Sequence, residues 1–562
     1  MFRRGPHSRM PDRENAPPEC YTIEQLPYGS PLFRDWVAGA EVTRGWYAGG
    51  PLDLRWQLRD AGSDARDRGV ARSSVFELAT LLTQQAEQFG AAQAAFEHIE
   101  ALRNGAAAVV TGQQVGLFGG PLLTLLKAAT CIARAAQASR TTGRPHVPVF
   151  WLATEDHDLA EVDHAVLLGK TEPETLRAEL HRAAATTVGD VLLTSEIESL
   201  LDHASELLGW APVADLLREC YLPSDGYTPT MGLAFGRLLT AIFREHGLVV
   251  MDAAGRDFHA LGASTLRAAI ERADELHALL QERSRAIEAA GYEPQVLVAP
   301  GGSLLFLLNE HTGERQPLRR TGAAVAGWKA GQQTYSTADL LAVLDAAPER
   351  LSPNALLRPV FQDTLLPTAA YIGGPAEIAY FAQSEVLYRA ILGRVTPVLP
   401  RLSATLVEPA IATVMDRHEV SLPQAMTTAP ELAQRLGARA MPIEGKRRIS
   451  AAGNSLETEL DALLAWTHGM DESLGRSAEV SASKMRYQMN RLRRMAAGFE
   501  LQKEASLAKH AAAITLNLFP GGHLQERTLA GVWFLARFGD GLAERLIAEA
   551  DDPCPGHRLI RI

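Results

Sequence analysis

Cysteine is scarce in this chain of 562 residues: four occur, Cys20, Cys131, Cys220 and Cys554, and none stands in a CxxC or CxH spacing. That argues against a thiolate zinc site and gives no sign of a disulfide framework, so the cysteines fit a reducing compartment. Excess positive charge is also missing. Acids outnumber bases, 66 to 55, for a net charge of −11, whereas a protein that grips duplex nucleic acid presents a basic face to the phosphates. No apolar run approaches the ~18 residues of a membrane span, and the basic start MFRRGPHSRMPDRENAPPE is not followed by one. Neither a nucleic-acid nor a membrane partner is expected, and the expected location is the cytoplasm. Two phosphate signatures are absent as well, the GxxxxGK[ST] loop and the dinucleotide GxGxxG.

What is present suits a globular enzyme. Hydrophobic residues make up 46% and charged residues 22%, and the length predicts roughly two to four substructures at about 150 residues each. Residues 1–20 carry too much proline and charge to bury a core and read as a disordered leader. The apolar run Ala106–Val110 ends in the Gly-rich loop Thr111–Gly120; Pro121 then suits the first turn of a helix with Leu122, Leu125, Leu126, Ala129, Ile132 and Ala133 as its buried stripe. A second run, Val147–Leu152, breaks into Thr154-Glu155-Asp156-His157-Asp158. Strand, loop, helix, strand, loop is the grammar of a parallel βαβ unit, so the predicted class is α/β. Leu248–Met251 before Asp252, and Leu366–Ile372 before Gly373-Gly374-Pro375, repeat it. Polar, irregular stretches at about 165–225 and 285–350 interrupt the alternation and read as insertions, candidates for lids or specificity elements. Between 455 and 500, Leu456, Leu460, Leu463, Met470, Met485, Met489, Leu492, Met495 and Phe499 recur at steps of three, four or seven. That is a coiled-coil seam, whose partner helix lies either in the same chain or in a second copy.

Three constellations bear on chemistry. The loop from Thr111 to Pro121 places Gly112, Gln113, Gln114, Gly119 and Gly120 after a buried strand, where open α/β sheets bind ligands. Glycines and a helix entry favour phosphate or carboxylate; the plainer reading is a tight turn. Glu155-Asp156-His157-Asp158 surrounds one imidazole with carboxylates. His157 reads as an acid/base or a cation facing phosphate, with Asp156 and Asp158 beside it; a divalent-metal set of Asp156, His157 and His164, or a solvated loop, are the alternatives. In the third, Asn354, Arg358, Gln362 and Asp363 precede LLPTAAYIGGP, which carries Tyr371, Gly373 and Gly374; Arg358 suits a bidentate grip on an anion, and Glu377 is either a ligand contact or a dipole-stabilising acid. With Lys127 added, these residues form the candidate substrate- or nucleotide-binding set, and no metal ligand is assigned. A late turn, LFPGGHLQER at 518–527, is polar but uninformative alone.

The stretches VVTGQQVGLFGGPLLTLLKA, VPVFWLATEDHDLAEVDHA, GLVVMDA, GYEPQV, LLRPVFQDTLLPTAAYIGGPAEIAYFAQ, PRLSATLVEP and LFPGGHLQERTLAG, in this order, resemble the cysteine ligases of bacillithiol biosynthesis, the family called BshC. The resemblance implies a Rossmann-like core at 21–410 carrying the two insertions, a helical coiled-coil domain at 411–515 able to form a homodimer, and a C-terminal segment, 516–562, packing back on the core. It implies a ligase joining the carboxyl of L-cysteine to the amine of glucosaminyl malate, with ATP and Mg²⁺ as expected co-reactants. Related cysteine-activating enzymes hold the thiol on a Cys-ligated zinc and carry a KMSKS-type loop; neither pattern is found, and no Cys-ligated zinc is expected. A non-catalytic nucleotide- or metabolite-binding partner in the same thiol pathway, and a metal-dependent hydrolase, are the competing readings.

Overall fold

Residues 19–26, 29–58, 72–180, 187–310, 312–321 and 327–562 are described by a computed structural model. Five short runs of small and β-branched residues form one parallel sheet: β1 (Ala107–Gln114), β2 (His146–Ala153), β3 (Val249–Asp252), β4 (Thr368–Gly373) and β5 (Val398–Pro400). Their spatial order is β5-β4-β1-β2-β3. Ala107 faces His146 and Gln114 faces Ala153, while Tyr371 of β4 lies beside both Val110 and Val398. Helices cover both faces, which is why Val109, Val110 and Phe150 are fully buried and the strands read as unbroken apolar runs. Four helices matter for the site: α1 (Leu123–Thr142), α2 (Arg256–Leu261), α3 (Arg358–Leu365) and α4 (Pro375–Leu392). α1 connects β1 to β2 and stops at Gly143, whose φ of 68° only glycine adopts without strain.

The chain runs outward from β1 to β2 and β3, then returns to the other side of β1 for β4 and β5. Between β1 and β4 the order therefore reverses. A crevice opens there at the carboxyl ends of the strands, the place where α/β sheets bind ligands. The architecture is α/β, with a Rossmann-like core.

Both insertions are more ordered than their polar sequences suggest. The first contains the hairpin His164–Leu168 and Pro173–Arg177, then helices Glu198–Leu208 and Ala211–Tyr221, and it buries Leu167, Leu201, Leu217 and Tyr221 in one cluster with Phe118 and Phe150. The second holds an antiparallel sheet of Gly302–Leu308, Arg315–Thr321, Gly327–Ala330, Gln333–Ser336 and Leu351–Pro353. Its strands bury one face only, so their composition stays polar and imitates loops.

Beyond the core, α5 (Ile443–Met470) and α6 (Glu472–Lys503) form a helical hairpin. Asp471 makes the turn, its carboxylate accepting from the amides of Ser473 and Leu474 at 2.8 and 3.0 Å. The two helices pack on each other, yet Leu463, Trp466, Met470, Met485, Leu492, Met495 and Phe499 remain at least half exposed. The remaining C-terminal residues return to the core: helix Leu542–Asp551 packs on α1, and Arg140 pairs with Asp551 at 2.9 Å. Among the described residues no helix is long and apolar enough to cross a membrane.

Two expectations fail at the chain ends. Glu19 and Cys20, assigned to the leader, belong to strand Glu19–Tyr21, which pairs antiparallel with His557–Arg561; residues 1–18 lie outside the described residues. His557–Arg561 in turn pairs in parallel with Ala404–Val407. This sheet brings Cys20 to Cys554, 534 positions away, and the two form a disulfide with a Cα–Cα distance of 6.0 Å. Spacing along the sequence cannot reveal a partner that only the closed sheet supplies, so the reading of four unpaired cysteines is corrected; Cys131 and Cys220 are free and buried. Peptide mapping without reductant is expected to recover Cys20 linked to Cys554. Cys20→Ser is expected to lower stability by about 2–4 kcal/mol, read from the denaturation midpoint.

Candidate functional site

The crevice holds a cavity of about 600 Å³. β1 contributes Gly112, Gln113 and Gln114; α1, Leu123 and Lys127; the loop after β2, Glu155, Asp156 and His157; the entry to α3, Asn354 and Arg358; and α4 with its entry, Gly374, Glu377 and Tyr380. Phe306 and Arg315 reach it from the second insertion, Arg401 from beyond β5 and Arg527 from the C-terminal segment. Gly112 is required by packing: a Cβ there would meet the carbonyl oxygen of Trp151 at 2.8 Å, within the β1–β2 pair.

Lys127 lies at the centre of the polar network. Its Nζ donates to the Gly112 carbonyl at 2.6 Å and to Gln113 Oε1 at 2.9 Å, and it pairs with Glu377 at 2.5 Å. Glu377 also accepts from Tyr371 Oη at 2.7 Å and from the Gly374 amide at 2.8 Å. Burial pulls the Lys127 ammonium down to about 8 against the opposing pull of Glu377. For Glu377, burial acts upward, but Lys127, the Gly374 amide and the Tyr371 hydroxyl together outweigh it and the carboxyl stays below its ordinary range.

The loop after β2 is braced in the same way. Asp156 accepts from Gln114 Nε2 at 2.8 Å and from the His157 amide at 2.7 Å. Burial raises its carboxyl, but these donors more than offset the effect and keep it ionised. Gln114 also donates to Glu161 at 2.7 Å. His157 is half exposed at the cavity mouth, its Nδ1 lying 3.6 Å from Asp156 and its ring beside Phe306. Arg315 stacks on the Phe306 ring at 3.8 Å and donates to Ser352 and the Pro353 carbonyl. Arg401 is buried and bidentate to Glu526, at 3.0 and 2.6 Å. Arg358 donates to Tyr380 Oη at 2.8 Å; among the described residues no carboxylate lies within ion-pair reach of it.

One wall is thus cationic, with Lys127, Arg358, Arg401 and Arg527, and the strand-end loop beside it is anionic, with Glu155 and Asp156. A family model described as Bacillithiol biosynthesis BshC, N-terminal Rossmann-like domain, matches residues 19–402, and a second, Bacillithiol biosynthesis BshC, C-terminal coiled-coil domain, matches 404–562. The chain belongs to the BshC family. Three relatives carry the name "Putative cysteine ligase BshC". That of Koribacter versatilis is 39% identical over 547 residues, 97% of this chain and 100% of its own. Those of Solibacter usitatus and Salinibacter ruber are 37% and 32% identical, covering 81% and 94% of this chain and 84% and 96% of theirs.

Within this BshC fold the structure gathers Gly112, Gln113, Gln114, Lys127, Asp156, His157, Asn354, Arg358, Gly374 and Glu377 around one cavity. Others of the expected set lie elsewhere. Gly119 and Gly120 do not reach the cavity, because the loop's amides are taken by the chain itself: Gly119 donates to Tyr221 Oη at 3.2 Å and Leu122 to the Leu529 carbonyl at 2.8 Å. Gly120 instead borders a second cavity of about 760 Å³ with Glu161, His164 and His523. Thr111 is buried, its hydroxyl clamping β1 to the Ile372 carbonyl of β4 at 2.9 Å. Gln362 and Asp363 lie on the buried side of α3, Asp363 accepting from the Thr396 hydroxyl and facing Arg394 at 3.7 Å. Tyr371 and Gly373 support the site from the sheet without lining it, and Asp158 points away into solvent. His164 pairs with Asp163 at 3.1 Å, away from His157, and among the described residues no three His, Cys, Asp or Glu side chains cluster to hold a metal ion.

Sequence reading missed Glu155, Arg315, Tyr380, Arg401 and Arg527 as members of the wall. Glu155 stood inside a quoted motif and was passed over for its neighbours; the arginines lie in segments whose approach to the sheet no local pattern encodes. Since Lys127 carries its charge only below about pH 8, binding of a small dicarboxylate is expected to weaken as pH rises through that value. The loss is expected to be about tenfold, the worth of roughly 1.4 kcal/mol. Titration calorimetry from neutral to alkaline pH checks it, and the step should vanish in Lys127→Met.

Proposed function

We propose that this chain forms the amide bond between the carboxyl of L-cysteine and the amine of glucosaminyl malate. The observation that carries this reading is the bipolar cavity at the switch point: a cationic wall able to hold carboxylates or phosphates stands beside the acidic side chains of Glu155 and Asp156, with His157 at the mouth. Both substrates carry amine and carboxylate groups, and such a cavity orients them by charge. The family and its relatives' names support the same reaction class.

Amide formation from a free carboxylate needs activation. Arg358 and Arg527 fit the phosphates of ATP, above all Arg358, which lacks a carboxylate partner among the described residues, while Lys127 and Arg401, held by Glu377 and Glu526, stand behind them. Mg²⁺ would be carried largely by those phosphates, because a hard cation that keeps its waters needs few protein ligands. When bound, ATP with Mg²⁺ would supply a leaving group on the cysteine carboxyl. The amine nitrogen then forms the new bond to the carbonyl carbon as that group departs, and the nitrogen gives up one proton. His157, exposed and steadied by Asp156, is placed to take it. Gln114 holds Asp156 for that purpose.

Purified protein incubated with cysteine, glucosaminyl malate, ATP and Mg²⁺ is expected to yield the ligated thiol by mass spectrometry. His157→Ala should lower turnover by about 10²–10⁴-fold, and Gln114→Ala should lower it as well. Pyrophosphate release would identify adenylyl transfer, and inorganic phosphate an acyl phosphate. Nucleotide binding without product would favour a non-catalytic binding partner instead.

The same reading assigns the exposed stripe of α5 and α6 to a second copy of the chain. Leu463, Trp466, Met485, Leu492, Met495 and Phe499 follow one seam and are too many large apolar groups to leave in water. Sedimentation is expected to show a dimer in the wild type and a monomer in Leu492→Glu/Phe499→Glu.

A further inference from the structure

His259, on α2, is fully buried behind the cavity wall and packs on Phe361 with 5.2 Å between ring centroids. Its Nδ1 lies 3.0 Å from the carbonyl oxygen of Leu351, and its Nε2 lies 2.9 Å from Oε1 of Glu155. The Leu351 carbonyl belongs to a strand paired with Leu307, so its position is set by the insertion sheet. Both neighbours are acceptors. A neutral imidazole has one proton for two acceptors and would turn a lone pair toward an oxygen; the imidazolium meets the Leu351 carbonyl through Nδ1 and sets its charge against Glu155, with which Nε2 makes an ion-pair contact rather than an aligned hydrogen bond. Burial acts against that charge, but the Glu155 carboxylate with the Leu351 and Pro348 carbonyls outweighs it and raises the group above its ordinary value.

Glu155 is therefore held from behind. Arg315, from the second insertion, adds a favourable field on Glu155 and Asp156, and Asp252 at the end of β3 adds a like charge when ionised, its carboxyl being raised to about 6 by burial. Glu155 side-chain exposure is 17%, and the side chain lines the cavity. Its Oε1 makes the ion-pair contact with His259, whereas among the described residues no hydrogen-bond donor reaches Oε2. A carboxylate with one oxygen anchored and one free, next to a cationic wall, is a receptor for a primary ammonium group.

We propose that Glu155 binds the primary ammonium of an incoming substrate, and that His259, as a buried imidazolium, is the positioning residue that fixes it. The proposal rests on the ligase reading, in which both the amino acid and the amino sugar carry such a group. It adds a basis for selection: an amine-free analogue would shield Oε2 of Glu155 from water without giving it a donor, which costs more than a missing contact.

Titration calorimetry with two ligand pairs tests this, L-cysteine against 3-mercaptopropionate and glucosaminyl malate against glucosyl malate. In the wild type one amine-bearing ligand should bind at least about tenfold more tightly than its amine-free counterpart, and the pair that does so identifies the source of the ammonium. Glu155→Gln should abolish that difference while leaving the amine-free ligand unaffected, and His259→Asn should reduce it. Nitrogen-15 NMR of histidine-labelled protein gives a readout that packing alone would not move. The His259 signals, assigned by their loss in His259→Asn or by their shift in Glu155→Gln, should show both ring nitrogens protonated at neutral pH. A neutral His259 in the wild type, or equal losses for both members of a pair in Glu155→Gln, would overturn the proposal. Wild-type protein that binds neither cysteine nor glucosaminyl malate would overturn the ligase reading, and the ammonium site with it.

Discussion

The ion pair of Lys127 with Glu377 spans the crevice where the strand order of the sheet reverses, and the cavity depends on it. Lys127 rises from the helix that follows β1, and Glu377 from the first turn of the helix that follows β4, so the pair joins the two halves of the core at the point of their divergence. Burying two charges costs several kcal/mol per ion before their attraction returns anything. Here the cost is offset because the network is complete: the Gly112 carbonyl and Gln113 take the other ammonium protons, and Tyr371 and the Gly374 amide fill the carboxylate. A complete buried network specifies one register more than it adds stability. The strand that offers Lys127 its Gly112 carbonyl also runs so close to Trp151 that position 112 has no room for a side chain.

Around this pair the remaining wall is recruited from distant parts of the chain. Arg401 is aimed by Glu526, which also accepts from Ser403 and the Ala404 amide, so the C-terminal segment holds a residue of the cavity in place. His557 stands behind Ser403 and Thr405 at 2.8 Å from each hydroxyl, and burial pushes it down to about 4, so it is neutral there. The strand that carries it is stapled through Cys554 to the strand of Cys20. Covalent closure of the chain ends and the position of Arg401 thus belong to one small sheet. On the other side, Arg315 and Phe306 come from an insertion whose polar strands bury a single face. The site is built at the core by residues that the core alone does not contain.

Much of this was legible from local pattern. Buried parallel strands lie between helices, so Ala107–Val110 and Val147–Leu152 are continuous apolar runs, and the polar residues that end them mark the carboxyl edge of the sheet. Gln114, Asp156 and His157 could be singled out on that ground. The same reasoning misled at Gly119 and Gly120, because glycine before a helix also serves a tight turn, and there the first insertion and the C-terminal segment occupy the loop's amides. It misled again at Gln362 and Asp363, where polar side chains on a buried helix found partners inside the protein rather than in the cavity. Single-faced strands in the second insertion went unassigned within a stretch read only as an insertion, because their alternation is short and interrupted.

By itself the sequence determined the order of strands and helices, the place of the two loops at 109–121 and 147–158, the helical seam and the family, because each is written in the spacing of neighbouring residues. Tertiary structure alone decided which of those loop residues face a common cavity, that Arg401 and Arg527 join them, that Cys20 meets Cys554 and that His259 stands behind Glu155. These are contacts between residues from about 100 to more than 500 positions apart. Local periodicity records which face of an element is buried; it does not record what lies on the other side of that burial.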